Sequence, residues 1–338
     1  MTQPLAQRTA LRTETDDAIV VSGVRRSYPT RTRFNLLTGR RHPVAFFEAV
    51  RGVDLHVGRG ELFALLGTNG AGKTSTVELV EGLAKPTAGR IRVLGHDPWA
   101  ERRVVRPRTG VVLQASGFPP SLTVAEVATA WRGLLERPRP VAEMLEAVDL
   151  ADRARVEVSK LSGGERRRLD VALSLMGRPD VLILDEPTTG LDPESRRNIW
   201  QLVRETVADG AGVLLTTHYL EEAESLAQRL AIMHEGTIAV EGTLPEIVSR
   251  APARISFERP RDLDPERLDL PGARIHTGDR IAIETSDLQG DLARVLRWAG
   301  ADRLRGLEAR SASLEQVFLE IADKNRPATD PRDKETNR

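Results

Sequence analysis

Residues Gly67-Thr68-Asn69-Gly70-Ala71-Gly72-Lys73-Thr74 decide the fold of this chain. They fit the pattern G-x-x-x-x-G-K-[ST], in which backbone N–H groups and a helix N-terminus surround phosphate groups. The apolar run Leu62–Leu66 before the loop predicts a buried strand, and Ser75–Leu83 after it predicts a helix. This order predicts a nucleotide site in which Lys73 reaches the β- and γ-phosphates and the Thr74 hydroxyl ligates Mg²⁺. The alternative is a chance glycine-rich turn, which the flanking strand and helix disfavour.

The composition narrows the class of protein. The chain has 338 residues, enough for one large domain or two ordinary ones. Its 49 basic and 49 acidic residues give a formal net charge of zero, which argues against a nucleic-acid-binding protein. The sequence contains no cysteine, so disulfides, zinc-thiolate sites and thiol chemistry are excluded.

The sequence has no segment suited to crossing a membrane. Residues 1–17 lack the apolar core of a secretory signal, and no run approaches the roughly 20 apolar residues of a spanning helix. We therefore expect that the chain does not span a membrane itself. Contact with a membrane through a partner stays open.

The alternation of apolar runs with amphipathic stretches predicts an α/β domain with a largely parallel sheet and a helical insert at about residues 115–178. The composition changes near Pro252, and two short strands and two helices beyond it predict a small α+β module. The strand candidates in the first domain are Ile91–Leu94, Gly110–Leu113, Val181–Leu184 and Val213–Thr217. The predicted divisions are a disordered N-terminus (1–17), a first domain (18–248), the module (252–323) and a disordered tail (324–338).

Two carboxylates follow another buried strand. The run Val181–Leu184 is apolar throughout, and Asp185 and Glu186 come directly after it. Because parallel strands are buried on both faces, charged residues belong at their carboxyl ends, where α/β proteins bind ligands. An aspartate there can hold Mg²⁺, and a neighbouring glutamate can orient or deprotonate a water. Alone the pair could equally begin a turn at Pro187, but the phosphate loop upstream favours the catalytic interpretation.

The stretch Leu161–Glu165 supports two interpretations. Ser162 and Glu165, three residues apart, form a capping-box pattern, so the stretch predicts the start of a helix. The consecutive glycines Gly163 and Gly164 at the same helix N-terminus equally predict a second anion site. These residues alone do not decide between the two.

Taken together, the motifs resemble the nucleotide-binding domain of an ABC transporter over about residues 18–248. They occur in the order Gly67–Thr74, Gln114, Leu161–Glu165, Asp185–Glu186, Gly190–Asp192 and His218. The resemblance implies a P-loop NTPase fold with a helical subdomain, with ATP and Mg²⁺ as ligands. Modest departures from the family pattern are Thr68, where proline is common, and Glu165, where glutamine is frequent.

The resemblance also assigns roles to single residues. The Walker A loop with the adjacent Ser75 is expected to hold the ATP phosphates, and Glu186 to act as the catalytic base. His218 is expected to contact the γ-phosphate, and Asp192 lies in the D-loop. The expected metal ligands are Thr74, Gln114 and Asp185, with Gln114 also contacting the attacking water. The signature residues, which bind the ATP held by the opposite subunit, are Ser162, Gly163 and Gly164.

The aromatic residue that stacks on adenine is expected to be Tyr28, which follows the first predicted strand, Ile19–Val24. Residues 29–45 are longer than is usual in the family, so Phe46 and Phe47 stay as alternatives. The segment 25–41 is rich in arginine and contains no acid: Arg25, Arg26, Arg31, Arg33, Arg40 and Arg41. It predicts either a solvated hairpin or contact with anionic lipid headgroups or an acidic face of a partner.

The C-terminal stretch Ser313–Leu319 resembles the ending of ABC ATPases from exporters of the daunorubicin-resistance type. This branch implies an ATP-hydrolysing subunit at the cytoplasmic face of the membrane that drives export of a drug-like or hydrophobic substrate. Its expected partners are a separate integral membrane permease and a second ATPase subunit, in a homodimer or a heterodimer. The alternatives are the ATPase of an ABC importer and a soluble ABC protein that acts on ribosomes or DNA.

Overall fold

The computed structural model describes residues 17–35, 40–114, 117–260, 263–265, 268–300 and 303–323, and the side chains of residues 31–44 are outside the description. The tail predicted at 324–338 and all of the predicted N-terminus except Asp17 lie outside these residues. The chain divides into two compact units, Met1–Gly242 and Thr243–Arg338. No helix in the described ranges is long and apolar enough to cross a membrane.

The strands are numbered in chain order. They are β1 Asp17–Asn35, β2 Arg40–Gly58, β3 Leu62–Gly67, β4 Ala88–Val93, β5 Thr109–Val112, β6 Val181–Asp185, β7 Gly212–Thr217, β8 Arg229–His234, β9 Thr237–Gly242, β10 Ala253–Glu258, β11 Arg274–Thr277, β12 Arg280–Thr285 and β13 Glu308–Arg310.

The helices are numbered in the same way. They are α1 Lys73–Val80, α2 Arg102–Val105, α3 Val124–Arg132, α4 Val141–Ala147, α5 Gly163–Met176, α6 Pro193–Ala208, α7 Leu220–Leu226, α8 Leu244–Val248, α9 Leu288–Ala299 and α10 Leu314–Asp323.

The centre of the first unit is a six-stranded sheet in the order β5-β6-β7-β3-β8-β9. All neighbouring pairs are parallel except β8 and β9, which form an antiparallel hairpin. Every residue of β3, β6 and β7 is buried, as expected for parallel strands that are covered on both faces. The carboxyl ends of β5, β6, β7 and β3 therefore meet at one edge, which places the functional residues.

A second, antiparallel sheet in the order β2-β1-β4 shares its core with the central sheet. Val21 and Val53 of this sheet lie in the same buried cluster as Phe63 and Ile183 of the central one. β1 and β2 pair along nearly their whole length, with several register shifts, and Tyr28 lies opposite Phe47. The sequence predicted only a short first strand at Ile19–Val24, because the arginine-rich segment lacks apolar alternation.

A helical segment that contains α3, α4 and α5 connects the adjacent parallel strands β5 and β6. Capping boxes begin two of these helices: Thr123 with Glu126 for α3, and Ser162 with Glu165 for α5. The predicted helical insert is therefore the crossover between two neighbouring strands.

The second unit contains a four-stranded antiparallel sheet in the order β11-β12-β10-β13. Its core is built from Ile255, Phe257, Ile281 and Ile283 of the sheet and Val295 of α9. Helix α8 contacts α10 within this unit. The boundary between the two units falls between Gly242 and Thr243, ahead of the composition change near Pro252.

We predict that a chain ending at Gly242 folds by itself, because the buried residues of the first unit's core lie between Ala18 and Met233. Thermal unfolding followed by circular dichroism should remain a single cooperative transition. A matched chain ending at His234, which lacks β9, should unfold at a lower temperature. A broad, non-cooperative transition for the Gly242 chain would show that the first unit needs residues from the second.

Candidate nucleotide site

The phosphate loop follows β3 and wraps closely around its neighbours. A Cβ atom added at Gly67 would lie 2.5 Å from the carbonyl oxygen of Met233, and one at Gly72 would collide with the carbonyl oxygen of Ala49. Gly72 is the N-cap residue of α1 and has a φ of 105°, in the left-handed region. It makes no side-chain hydrogen bond to the helix. The N-cap residue therefore adds no side-chain acceptor at the N-terminus of α1, and the loop has the shape that an anion site requires.

Lys73 begins α1 and is buried beneath the loop. Its Nζ donates hydrogen bonds to the carbonyl oxygens of Gly67, at 2.7 Å, and Thr68, at 3.3 Å. Burial lowers the pKa of Lys73, while the negative charges of Glu186 and Asp185 act in the opposite direction. The loop carbonyl groups thus hold the ammonium group, and the charges of Asp185 and Glu186 act on it.

Asp185 is the last residue of β6, and Glu186 begins the turn that follows it. Asp185 is 3 % exposed and accepts a hydrogen bond from the Thr216 hydroxyl of β7. Glu186 has a φ of 51°, in the left-handed region, which directs the chain away from the sheet. Its Oε1 lies 3.0 Å from Nδ1 of His218. The structure therefore brings together Glu186 and His218, which the sequence had connected only through resemblance.

The remaining predicted metal ligands are solvent-accessible. Thr74 lies in the first turn of α1, next to Lys73, and its side chain is exposed. Gln114 follows the end of β5 and is also exposed, while its successors Ala115 and Ser116 lie outside the described residues. The described part of the chain has no cluster of three histidine, cysteine, aspartate or glutamate residues that could hold a metal by itself. The hydroxyl, amide and carboxylate oxygens present suit Mg²⁺, which binds few protein ligands and completes its shell with phosphate and water.

The signature residues begin helix α5, and the capping box predicted from the sequence is present. The Glu165 N–H donates to Oγ of Ser162 at 3.1 Å, and the Ser162 N–H donates to the Glu165 carboxylate at 2.8 Å. Gly164 lies beside Leu191 and Gly190 of the D-loop segment. Among the described residues, no hydrogen bond joins the signature stretch to the phosphate loop of the same chain. The geometry is therefore compatible with the predicted contact across a dimer.

Asp192 caps helix α6. Its carboxylate accepts hydrogen bonds from the backbone N–H groups of Glu194 and Ser195 and from the Ser195 hydroxyl. The hydrogen bonds from Ser195 lower the pKa of Asp192. In this chain Asp192 thus fixes the start of α6 directly after the D-loop.

Tyr28 lies beside the first turns of α1. Its hydroxyl is 3.2 Å from both the Ser75 hydroxyl and a Glu78 carboxylate oxygen, and the Arg26 guanidinium lies 4.9 Å from its ring centroid. Phe46 and Phe47, the alternative aromatics, are 62 % and 50 % exposed. Tyr28 is thus near the phosphate loop, and the two phenylalanines are more accessible for stacking.

Arg167 is a buried residue whose role sequence reasoning missed. Its guanidinium donates to the carbonyl oxygens of Asp185, Glu186 and Pro187 at the end of β6, with distances of 2.7 Å to Glu186 and 3.0 Å to Pro187. It also donates to the carbonyl oxygen of Leu113 at the end of β5. Helix α5, which contains Arg167, therefore holds the turn that carries Glu186. The basic run Arg166–Arg168 was visible in the sequence, but nothing in it distinguished the inward-pointing member.

Glu222 is a second buried group that the sequence did not identify. Its Oε1 accepts hydrogen bonds from the Thr188 hydroxyl at 3.0 Å and from Nε1 of Trp200 at 3.2 Å. Burial raises the pKa of Glu222. The carboxyl group joins α7, which follows His218, to the segment after Glu186 and to α6.

Glu81, directly after α1, is a third buried group that the sequence did not identify. Both of its carboxyl oxygens are buried, and neither has a hydrogen-bond partner among the residues that the structure describes. Burial, and then the charges of Asp185 and Glu78, raise the pKa of Glu81 to about 8.

Comparison with known proteins agrees with this geometry. The family model described as "ABC transporter" matches residues 50–189, and one described as the C-terminal domain of ABC transporter domain-containing proteins matches residues 253–313. The daunorubicin resistance ATP-binding protein DrrA3 of Streptomyces coeruleorubidus is 38 % identical over 82 % of this chain and 92 % of its own length. The Nod factor export ATP-binding protein I of Paraburkholderia xenovorans is 40 % identical over 80 % of this chain and 91 % of its own.

Solved structures show the same fold. The ATP-binding subunit of an ABC transporter superposes with a TM-score of 0.60 at 27 % identity, covering 69 % of this chain and 92 % of its own. A dimeric ATP-binding cassette in a post-hydrolysis state, bound to ADP and Pi, has a TM-score of 0.59 at 22 % identity, with 67 % and 98 % covered.

These matches define a P-loop ATPase of the cassette type. The chain belongs to the ABC transporter family, as one of its ATP-binding proteins. The predictions of the family, of the α/β fold with a helical subdomain and of an ATPase are thereby confirmed.

We predict that Glu81→Gln stabilises the chain increasingly as the pH rises from about 4.5 to about 8. In this range the unfolded chain ionises Glu81 and the folded chain keeps it protonated, so the wild type loses up to about 1.4 kcal/mol of unfolding free energy per pH unit relative to the variant. Urea unfolding near both ends of the range measures the difference. The exposed carboxyl of Glu143, changed to glutamine, is the control. A stability difference for Glu81→Gln that does not change with pH would contradict the expected titration.

Proposed function

We propose that this chain is the ATP-hydrolysing subunit of an ABC exporter and drives a drug-like or hydrophobic substrate through a separate membrane subunit. The observation that carries the proposal is the pairing of Glu186 with His218 at the end of β6, directly beside the Lys73 loop. The names of two similar proteins, one of daunorubicin resistance and one of Nod factor export, favour export over import.

The phosphate loop binds ATP, and the carboxylate of Glu186 activates the attacking water. Lys73 and the N-terminus of α1 bind the phosphate groups of ATP, because both provide positive charge in a loop of fixed shape. Glu186 orients the attacking water and accepts its proton, and His218 fixes the Glu186 carboxylate through their hydrogen bond. Arg167 holds the backbone of Glu186 in place. Tyr28, or one of the exposed phenylalanines at 46 and 47, stacks on the adenine.

The charges of the site support Mg²⁺ as the second ligand. Asp185 and Glu186 place two negative charges close to Lys73, so an ATP anion bound there needs a divalent cation to offset the repulsion. Thr74, Asp185 and Gln114 provide oxygen ligands of the kind that Mg²⁺ prefers. When bound, Mg²⁺ would neutralise charge that develops on the phosphate groups during hydrolysis.

The signature residues support a dimer. Ser162, Gly163 and Gly164 lie at a helix N-terminus that makes no hydrogen bond to the phosphate loop within the described residues of one chain. We infer that they bind the ATP held by a second ATPase subunit, identical or homologous, in a head-to-tail pair. A dimeric cassette of the same fold supports this arrangement. Its place would be the cytoplasmic face of the membrane, against the permease, and no nucleic acid is expected to bind.

We predict that Glu186→Gln keeps ATP affinity and loses steady-state hydrolysis, because the phosphate loop is unchanged and the water loses its base. The expected loss is about 10²–10⁴-fold. Phosphate release measures hydrolysis, and calorimetry measures binding. Lys73→Ala is the matched comparison, since it should weaken ATP binding itself by at least about tenfold. Hydrolysis by Glu186→Gln within about threefold of the wild type would rule out the role given to this residue.

We predict that Ser162→Arg prevents formation of the ATP-bound dimer and leaves ATP binding by the monomer intact. The larger side chain would occupy the position of the second subunit's γ-phosphate. Size-exclusion chromatography with ATP in the Glu186→Gln background measures the dimer fraction. Ser162→Ala is the control, because it removes the same helix cap without adding bulk. A dimer that forms as readily with arginine as with serine would show that the signature stretch is only a helix start.

A further inference from the structure

The first two strands of the chain form a ribbon that extends past the sheet to which they belong. β4 pairs with β1 only over Ile19–Arg25, whereas β2 pairs with β1 through to the end of β1. We call residues 26–35 and 40–48 the β1–β2 ribbon. At about 3.4 Å per residue, its outer part, beyond Tyr28, extends roughly 20 Å. Within the described residues, the backbone–backbone hydrogen bonds of this outer part all lie within the ribbon.

The base of the ribbon is fixed to the nucleotide edge of the first unit. The Ser27 N–H donates a hydrogen bond to the Thr87 hydroxyl at 3.1 Å, and the Tyr28 hydroxyl lies against the first turns of α1. The opposite end of β1, at Ala18, lies against Gly212 at the start of β7. β1 therefore runs from the amino edge of the central sheet to its carboxyl edge, and the ribbon continues beyond the carboxyl edge.

The outer part of the ribbon has positive charge and no acid. Its sequence contains four arginines: Arg31, Arg33, Arg40 and Arg41. No aspartate or glutamate occurs between Val24 and Glu48, and Glu48 itself pairs with Arg25 at 2.9 Å. A two-stranded ribbon that packs on nothing is only marginally stable in water, and like charges on neighbouring strands repel each other. An anionic surface against the ribbon would offset both effects.

Large apolar residues occur in the same segment. Phe46 and Phe47 are 62 % and 50 % exposed, and the sequence between the two strands' outer ends adds Phe34, Leu36 and Leu37. The proposed nucleotide site needs only one aromatic residue for adenine, so at least one of the two exposed phenylalanines stays available to another partner. Basic residues combined with large apolar ones are the composition that binds a bilayer interface, where cations meet anionic headgroups and apolar groups enter the acyl boundary.

This composition favours a lipid surface over two other anionic partners. An acidic face of a protein would pair with the arginines, but the exposed phenylalanines would add nothing to that pairing. A nucleic acid is disfavoured by the formal net charge of zero of the whole chain. The proposed function places the chain at the cytoplasmic face of a membrane, where anionic headgroups are available.

We propose that the β1–β2 ribbon binds the anionic lipid surface of the membrane through its arginines and its exposed phenylalanines. The choice of a membrane rests on the proposed function, whereas the attraction to anionic lipid follows from the ribbon itself. The ribbon gives the ATPase subunit a contact with the bilayer of its own, separate from its contact with the permease.

Sedimentation of the full chain with lipid vesicles tests the proposal. Vesicles of phosphatidylcholine alone are compared with vesicles that also contain about 30 % phosphatidylglycerol, in the absence of any permease. We expect binding to the anionic vesicles to be at least about tenfold tighter and to weaken as the salt concentration rises. Equal binding to both kinds of vesicle, or binding to neither, would overturn the proposal.

Exchange of the four ribbon arginines for glutamine identifies the surface that binds. Each basic residue near an anionic membrane strengthens binding by roughly fivefold, so the quadruple variant should bind anionic vesicles at least about tenfold more weakly. A matched variant has the same net charge and changes four exposed arginines outside the ribbon: Arg90→Gln, Arg132→Gln, Arg155→Gln and Arg197→Gln. This control should keep nearly all of the vesicle affinity. Equal losses in the two variants would show that only net charge matters and would refute the role of the ribbon. Equal ATP affinity in both variants and the wild type verifies that each chain is folded.

A single thiol locates the contact, because the sequence contains no cysteine. Thr32→Cys, in the outer part of the ribbon, carries an environment-sensitive fluorophore. Ala208→Cys, exposed at the end of α6 and close to the start of β7, carries the same label as the control. Anionic vesicles should shift the emission of the ribbon probe to the blue and leave the control probe unchanged. No shift at the ribbon, or an equal shift at both probes, would contradict the proposal. A ribbon probe that responds to duplex DNA or to polyglutamate, and not to vesicles, would assign the ribbon to a nucleic acid or to an acidic protein instead.

The outcomes separate this inference from the proposed function, because vesicle binding needs neither ATP nor a permease. If the ribbon does not bind anionic vesicles while Glu186→Gln still abolishes hydrolysis by the wild type, the lipid contact is wrong and the proposed function stands. If the ribbon binds anionic vesicles but the wild type hydrolyses no ATP, the proposed function fails and the lipid contact stands.

Discussion

Burial of the parallel strands on both faces is the constraint on which the whole site depends. β3, β6 and β7 have no exposed residue, so polar side chains can occur only where these strands end. All three end at the same edge of the sheet, because they are parallel neighbours. The glycine loop, the two carboxylates and His218 are thereby brought together from distant parts of the sequence. The chemistry of the site is a consequence of sheet topology.

Burial also sets the electrostatic state of the groups around this edge. It acts against the charged form of Lys73, and two carboxylates beside it partly offset that effect. Burial raises the pKa of Glu81 and of Glu222, and for Glu222 the charge of Arg196 acts in the opposite direction. The groups around this edge thus include a lysine whose charged form burial disfavours and two acids whose neutral form burial favours. Ligands that bring positive charge can be expected to change this balance.

The sequence predicted best those features of the site that depend only on adjacent residues. Adjacent residues were enough to predict the strand before Gly67, the strand before Asp185 and the capping box at Ser162. The structure contains all three. The positions of Gln114 and His218 required resemblance, because a single polar residue after a strand has no pattern of its own. Arg167, Glu81 and Glu222 could not be found in this way. The groups that surround them come from distant parts of the chain, as Leu113 does for Arg167 and Asp185 for Glu81, and only the folded chain shows which side chains point inward.

The contacts of Arg167 have a consequence for how this family can diverge. β5 and β6 are neighbours in the sheet, yet the chain leaves one and returns to the other through the helical segment. Arg167 fastens that segment to both strand ends. Because the entropy of closing a connection grows only slowly with its length, residues can be added to the mostly exposed connection between α3 and α4 at little thermodynamic cost. The helical segment can therefore vary in length between α3 and α4 while one guanidinium group holds the turn at Glu186 unchanged.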